Sequence, residues 1–340
     1  MTLSRLLFTT SLLLSLNAWA GPKHETVSRV VDGRMTVTTP AGQGTATLEL
    51  STDWNSYHPE IRRALIIVHG HLRNAETYFA SGQKAADAAN ETQKTLIIAP
   101  QFLAQADIPR NNLSSDILRW TPASWMGGYP AISPAPISSF EVFDSILAHL
   151  ADRKNLPNLR EVVIAGHSGG GQVVQRYAIL GHGDTALTNA GIGLRYVVAN
   201  PSSYAYFSAD RPTAAGGVGP FPAAGCPDYD QWKFGMNNLA PYAGNTTAQK
   251  LEQIYVSRNV TYLLGAMDTD PNHPALDKSC QAEAQGAYRL ARGESYFQYL
   301  QARHPQGLNQ RLITVPGVGH NGDGMFTSPQ GLKALFGEAR

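Results

Sequence analysis

The sequence predicts an α/β protein built on a doubly wound, mostly parallel sheet with helices on both faces. Two observations predict it. Apolar runs of strand length recur along the 340 residues and alternate with segments of helical spacing. Several of these runs are apolar and β-branched at consecutive positions, as expected of central parallel strands buried on both faces. A chain that is 43% hydrophobic can bury a sizeable core, and no linker-like stretch divides it.

Taken in order, the first twenty residues read MTLSRLLFTTSLLLSLNAWA, with one early cation (Arg5), an apolar stretch, and Ala18-Trp19-Ala20 before Gly21. That is the pattern of a signal peptide cut after Ala20, which predicts a secreted or periplasmic protein; an uncleaved anchor is the alternative. The rest, 21–340, is expected as a single domain. Strand candidates are ATLEL (46–50), RALIIVHG (63–70), KTLIIAPQF (94–102), REVVIAGHS (160–168), LRYVVANPS (194–202), VTYLLGAMD (260–268) and QRLITVPGVGH (310–320). Helices are expected over 74–91, 138–153, 170–180 and 331–339. The second begins with Ser138 followed three residues later by Glu141, a capping-box signature.

Two stretches interrupt the alternation. Residues 103–137 are rich in Pro, Gly and Ser and carry Trp120 and Trp125, and residues 203–250 form a second long irregular insertion, expected as a cap. Both follow strands, on the side of an open α/β sheet where ligands bind, so they are expected as site walls, with surface decoration as the alternative. Trp120, Trp125, Met126 and Tyr204 are accordingly pocket candidates, the alternative being a small core beneath the loops.

Charge excludes one class of partner. The full chain has 27 Lys and Arg against 26 Asp and Glu, and loss of residues 1–20 removes Arg5 and no acid, leaving a balanced mature chain. That leaves no electrostatic footprint for nucleic acid, and no later run is long enough to span a membrane. The two cysteines, Cys226 and Cys280, both fall in the exported part and predict a disulfide, the alternative being two buried thiols. In the chain-entropy picture, closing a loop of that length stabilises a fold by about 4 kcal/mol.

The chemistry centres on Gly166-His167-Ser168-Gly169-Gly170, a G-x-S-x-G with a strand before it and a helix after it. The glycines permit the sharp turn that lifts the hydroxyl off the sheet, and the N–H of Gly169 is left at a helix N-terminus where an oxyanion would form. A serine needs a base, and His320, on a glycine-rich loop after the last strand, is the candidate. The imidazole needs a carboxylate. Asp268, first after its strand, is the choice and Asp270 the runner-up, giving the chain order Ser168, Asp268, His320. Asp323 is expected only to cap its loop. The second oxyanion donor is expected from the backbone N–H of His71, with Leu72 beside it as the other possibility. His69 and His71 lack a third ligand of convincing spacing, and the DTDPN stretch (268–272) lacks the glycine and glutamate of a calcium loop, so no metal is expected. No phosphate or dinucleotide loop is present in the sequence, so no cofactor is expected either.

Together, the strand-ending HGH, GHSGG, GAMD and the late GVGH resemble the α/β-hydrolase superfamily over nearly all of the mature chain. The resemblance implies an eight-stranded core and a serine nucleophile that cleaves ester-like bonds through an acyl-enzyme, in outline like secreted bacterial esterases, lipases and polyester hydrolases. Ester-type small molecules or polymers are the implied substrates. A peptidase or amidase would use the same groups, and a hydrolase-fold binding protein without turnover is the reading from another class.

Overall fold

The computed structural model describes residues 26–337. The expected signal peptide, 1–20, lies outside the described residues, as does the end of the last expected helix. Eight strands form the central sheet: β1 (Gly33–Thr39), β2 (Gly42–Leu50), β3 (Arg63–Val68), β4 (Thr95–Gln101), β5 (Glu161–His167), β6 (Gly193–Ala199), β7 (Asn259–Gly265) and β8 (Gln310–Val315). Their order is β1-β2-β4-β3-β5-β6-β7-β8. β1 pairs antiparallel with β2, and β2 with β4; every other neighbour is parallel. The doubly wound, mostly parallel sheet with an antiparallel amino-terminal portion is therefore observed.

Alternation along the central strands builds two cores. On β3, Ala64, Ile66 and Val68 face one cluster while Leu65 and Ile67 face the other; β5 divides likewise into Val162 and Ile164 against Val163 and Ala165. Helices α1 (Ala75–Ala88), α2 (Ser139–Ala151), α3 (Gly169–Leu180), α4 (Ala248–Ser257), α5 (Arg289–Arg303), α6 (Gly322–Thr327) and α7 (Pro329–Phe336) cover these faces. Residues of α1, α6 and α7 join the smaller core, and those of α2, α3, α4 and α5 the larger. All twelve residues of α3 are buried, which fixes the helix that carries the Ser168 turn. At the start of α2 the capping box forms: Ser138 Oγ accepts from the Phe140 N–H, and Glu141 Oε2 accepts from the Ser138 N–H at 2.6 Å. Among the described residues no helix is long and apolar enough to cross a membrane.

Several elements escaped the pattern. β1 is an edge strand in which Val37 is the one fully covered residue, so its alternation is faint. α4 and α5 read as polar because α5 buries Arg289 and Arg292 along with Tyr296 and Tyr299. The segment 203–250 holds a small antiparallel ribbon (Asp210–Pro212 with Val218–Pro220) and sends Tyr204, Tyr206, Phe207 and Trp232 into the main core. Cys226 and Cys280 are joined, with Cα atoms 5.8 Å apart, which ties this insertion to the chain beyond β7.

Candidate active site

Ser168 stands between β5 and α3 at φ 59° and ψ −120°, a backbone conformation that costs a non-glycine residue of order 1–3 kcal/mol. The turn survives because its surroundings admit no alternative. A Cβ at residue 166 would collide with the Gly170 carbonyl, and one at residue 170 with the Val68 carbonyl of β3. The Ser168 N–H is meanwhile held by Ala199 at the end of β6. The hydroxyl donates to His320 Nε2 at 2.9 Å, and His320 Nδ1–H donates to Asp268 Oδ2 at 2.8 Å. Three residues from the ends of three different strands thus form one line. Asp268 is 3% exposed, whereas Asp270 turns outward and caps its own loop through the Asn272 N–H. Asp323 does not cap its loop: Asn321 Oδ1 takes the Gly324 N–H as the cap of α6, and Asp323 instead accepts from Ser81 and Lys84, pinning α6 to α1.

The backbone nitrogen of His71 lies 2.9 Å from where a Cβ on residue 169 would sit, so the amides of His71 and Gly169 are neighbours beside Ser168. His69 sets that loop. Its Nδ1–H donates to the Gly70 carbonyl at 2.8 Å, and its Nε2 accepts from the Phe102 N–H at 3.0 Å, which ties the loop after β3 to the chain leaving β4. Both ring nitrogens are committed, so His69 is a structural group rather than a metal ligand. Around Ser168 a cleft of about 340 Å³ is lined by Gly70, His71, Leu72, Tyr78, His167 and His320, among others. A larger cleft, about 1050 Å³, opens at the amino-terminal ends of the parallel strands among Arg62, Arg160 and Arg311, at the opposite end of the strands from Ser168.

The expected aromatic wall needs correction. Trp120, Trp125 and Tyr204 are at most 1% exposed and belong to the main core, with the two indole N–H groups satisfied by the Tyr129 and Pro122 carbonyls. They support the loops from beneath because their bulk is worth more inside than on a wet wall. Met126 is the exception in position: it is largely buried, yet its sulfur is the neighbour of Gly169.

Several groups beside the line were not legible in the sequence. Arg289, fully buried on α5, donates from Nη1 to Asp268 Oδ1 at 3.4 Å, from Nε to Ser202 Oγ and from Nη2 to the Ala275 carbonyl. The His167 ring lies 4.5 Å from that of His320, and His273 stands edge-on at 5.0 Å. Tyr78 approaches His167 Nδ1 at 3.2 Å. Burial holds His320 below the usual imidazole range; Asp268 opposes this, while Arg289 and His273 add to it. The His320 ring is therefore neutral at neutral pH, with Nε2 free of a proton as the Ser168 contact requires.

Two expected outcomes follow from these charges. An Arg289→Met variant loses a cation that disfavours imidazolium, so His320 becomes easier to protonate. The acid limb of kcat/KM should move to higher pH, and Arg289→Lys should restore it; an unmoved limb in Arg289→Met would show that the guanidinium does not reach the base. The second concerns stability. Burial drives His69 down to about 3 and lowers His167 and His320 too, whereas an unfolded histidine titrates near 6.5. Below 6.5 the unfolded chain binds more protons, so the stabilisation these neutral rings contribute is fully present above that value and lost as pH falls. Thermal midpoints should drop between pH 7.5 and 5.5, above the range where most carboxylates titrate. A flat profile would mean that the rings protonate in place without cost.

A strained serine at a strand–helix turn, relayed through imidazole to a buried carboxylate at the carboxyl edge of a parallel sheet, is the serine-hydrolase type of arrangement. The chain belongs to the alpha/beta hydrolase family, whose description matches residues 65–335. Among solved structures it is similar to poly(aspartic acid) hydrolase-1 from Sphingomonas sp. KT-1, with 23% identity over 91% of this chain and 99% of that one at a TM-score of 0.59. It is also similar to LpqC, a poly(3-hydroxybutyrate) depolymerase from Bordetella parapertussis, with 21% identity over 86% of each chain at a TM-score of 0.54. No curated protein sequence matches it.

Proposed function

We propose that the protein is an exported serine hydrolase that cleaves carboxylic esters through an acyl-enzyme. Ser168 attacks the carbonyl carbon as His320 Nε2 takes its proton, and Asp268 stabilises the imidazolium. The amides of His71 and Gly169 hold the oxyanion. His320 then protonates the departing alcohol, and a water activated by the same nitrogen releases the acid and frees Ser168. The observation that carries this reading is the unbroken Ser168–His320–Asp268 hydrogen-bonded line with a neutral base at its centre. Both similar structures are named for polymers, poly(aspartic acid) and poly(3-hydroxybutyrate), which supports a polymer segment as well as a small ester as substrate. Hydrolysis of p-nitrophenyl esters of increasing acyl length, compared with Ser168→Ala, tests the proposal and sets the acyl preference. Activity confined to peptide or amide substrates would replace the ester reading with the amidase one.

A further inference from the structure

The larger cleft, at the amino-terminal ends of the parallel strands, takes no part in the catalytic line, and its charge is one-sided. Its floor is neutralised from within. Arg63 donates to Glu161 at 2.8 Å and to Glu91 at 3.2 Å, and Arg195 donates to Glu161 at 2.6 Å. Their remaining N–H groups go to the Ala334, Leu335 and Phe336 carbonyls at the end of α7. Among the described residues no other carboxylate lines the cleft. The rest of its charge is positive: Arg62, Lys94, Arg160 and Arg311 are exposed, and none makes a side-chain hydrogen bond or ion pair with a described residue. Lys333, exposed on α7, adds to the same sign.

The fold sets these groups in a row. Lys94, Arg62 and Arg160 each stand just before a strand, and their backbones are bonded neighbours. The Arg62 N–H donates to the Lys94 carbonyl, and the Arg160 N–H to the Arg62 carbonyl, both at 2.9 Å. The row follows the sheet order β4-β3-β5, passes Arg195 on β6 and Asn259 on β7, and ends at Arg311 on β8. Neighbouring strands lie about 4.8 Å apart, so it extends roughly 24 Å across the sheet edge. Ser168 lies beyond the other end of β5, roughly 25 Å away at the rise of a strand. Charge balance over the whole chain conceals this local excess.

We propose that this amino edge of the sheet is an attachment site for a linear polycarboxylate, separate from the cleft in which Ser168 acts. A cleft lined by one sign of charge focuses the field and concentrates a chain of the opposite sign. The row selects an extended chain with repeated charges, because a small anion would meet only one or two of the cations. Three of the four unpaired cations are guanidinium groups, whose fork matches a carboxylate with two parallel bonds. The floor of the same cleft already binds a carboxylate in that way: Arg195 Nε and Nη2 donate to the two oxygens of Glu161. Nucleic acid fits less well, since its bases need an aromatic platform. Phe336 is the one aromatic lining residue among those described, and it is buried beneath the Arg63 guanidinium. A bilayer is flat and would meet the rim of a concave cleft rather than its wall. The proposal is independent of the ester reading.

The test titrates the full chain by calorimetry with sodium polyacrylate long enough to span the row, and with glutarate, which carries the same groups but cannot span it. Wild-type protein should bind polyacrylate far more tightly than glutarate, and added salt should weaken that binding. Arg62→Gln/Arg160→Gln should weaken it by about 3- to 30-fold at low salt, the combined scale of two exposed ion pairs. Arg110→Gln/Lys250→Gln removes as much charge from exposed positions outside the cleft and should change binding by less than about twofold. Both variants should keep the wild-type thermal midpoint and p-nitrophenyl ester turnover, because none of the four residues lines the cleft around Ser168. Polyacrylate that fails to bind, binds no better than glutarate, or binds Arg62→Gln/Arg160→Gln as tightly as wild type overturns the site. Equal weakening in the control pair reduces the effect to net charge and overturns it too. Oligothymidylate or phosphatidylglycerol vesicles bound more tightly than polyacrylate, through Arg62 and Arg160, would replace the polycarboxylate with a nucleic acid or a membrane. Absence of Ser168-dependent ester turnover bears on the proposed function alone.

Discussion

Ser168→Ala is expected to lower kcat on a p-nitrophenyl ester by about 10⁵- to 10⁶-fold, the scale on which removal of a relayed serine nucleophile is felt. The reason is that, in the proposed mechanism, Ser168 alone forms the acyl-enzyme. His320 Nε2 has Ser168 Oγ as its acceptor-side partner, and without that hydroxyl the base has nothing to activate but water. The variant should still fold. Alanine has the same Cβ as serine, so the strain at φ 59° is unchanged, and the lost oxygen hydrogen-bonds only His320 among the described residues. An unchanged thermal midpoint would confirm this. A fluorophosphonate probe gives a second readout that does not depend on choosing the right ester: the wild-type protein should gain one adduct at Ser168 and the variant none. Retention of more than about a hundredth of wild-type kcat would remove Ser168 from the role.

The parts of this fold that were legible in the sequence are those governed by short-range rules. The buried strands announce themselves because both faces are dry, and the turn at Ser168 does so because Gly166 and Gly170 are required by carbonyls that leave no room for a Cβ. The capping box at Ser138 and Glu141 is a four-residue device, readable by eye. What was not legible depends on distant partners. Arg289 lies in YRLARGESYFQYL, which looks like a wet helix; only the fold reveals that Ser202, Ala275 and Asp268 converge on its guanidinium. The aromatic residues after β4 show the same limit. The sequence places Trp120 and Trp125 on a loop above the sheet, but not which side of the loop they take, and the pull of the Phe102 and Phe143 cluster carries them under it.

Asp268→Asn is expected to cost about 10⁴-fold in kcat near neutral pH, the scale seen when an asparagine forces the wrong imidazole tautomer. Here Arg289 determines which way that asparagine points. The guanidinium donates to Oδ1 of Asp268, so in the variant the amide oxygen stays on Arg289 and the NH₂ faces His320 Nδ1. A donor at that place requires Nδ1 to accept, which puts the ring proton on Nε2, against the Ser168 hydroxyl. The base is then blocked rather than merely unsupported. Adding Arg289→Met releases the amide to turn its oxygen toward His320, so the double variant should recover part of the loss, and the two substitutions should be strongly non-additive. A conserved fold is checked by the thermal midpoint, and the comparison is made by kcat/KM on one ester across pH 6 to 9. If Asp268→Asn alone keeps more than about a tenth of the wild-type rate, the carboxylate is not what sets the tautomer of His320. If the double variant is worse than the sum of its parts, Arg289 supports the line in some way other than by orienting Asp268.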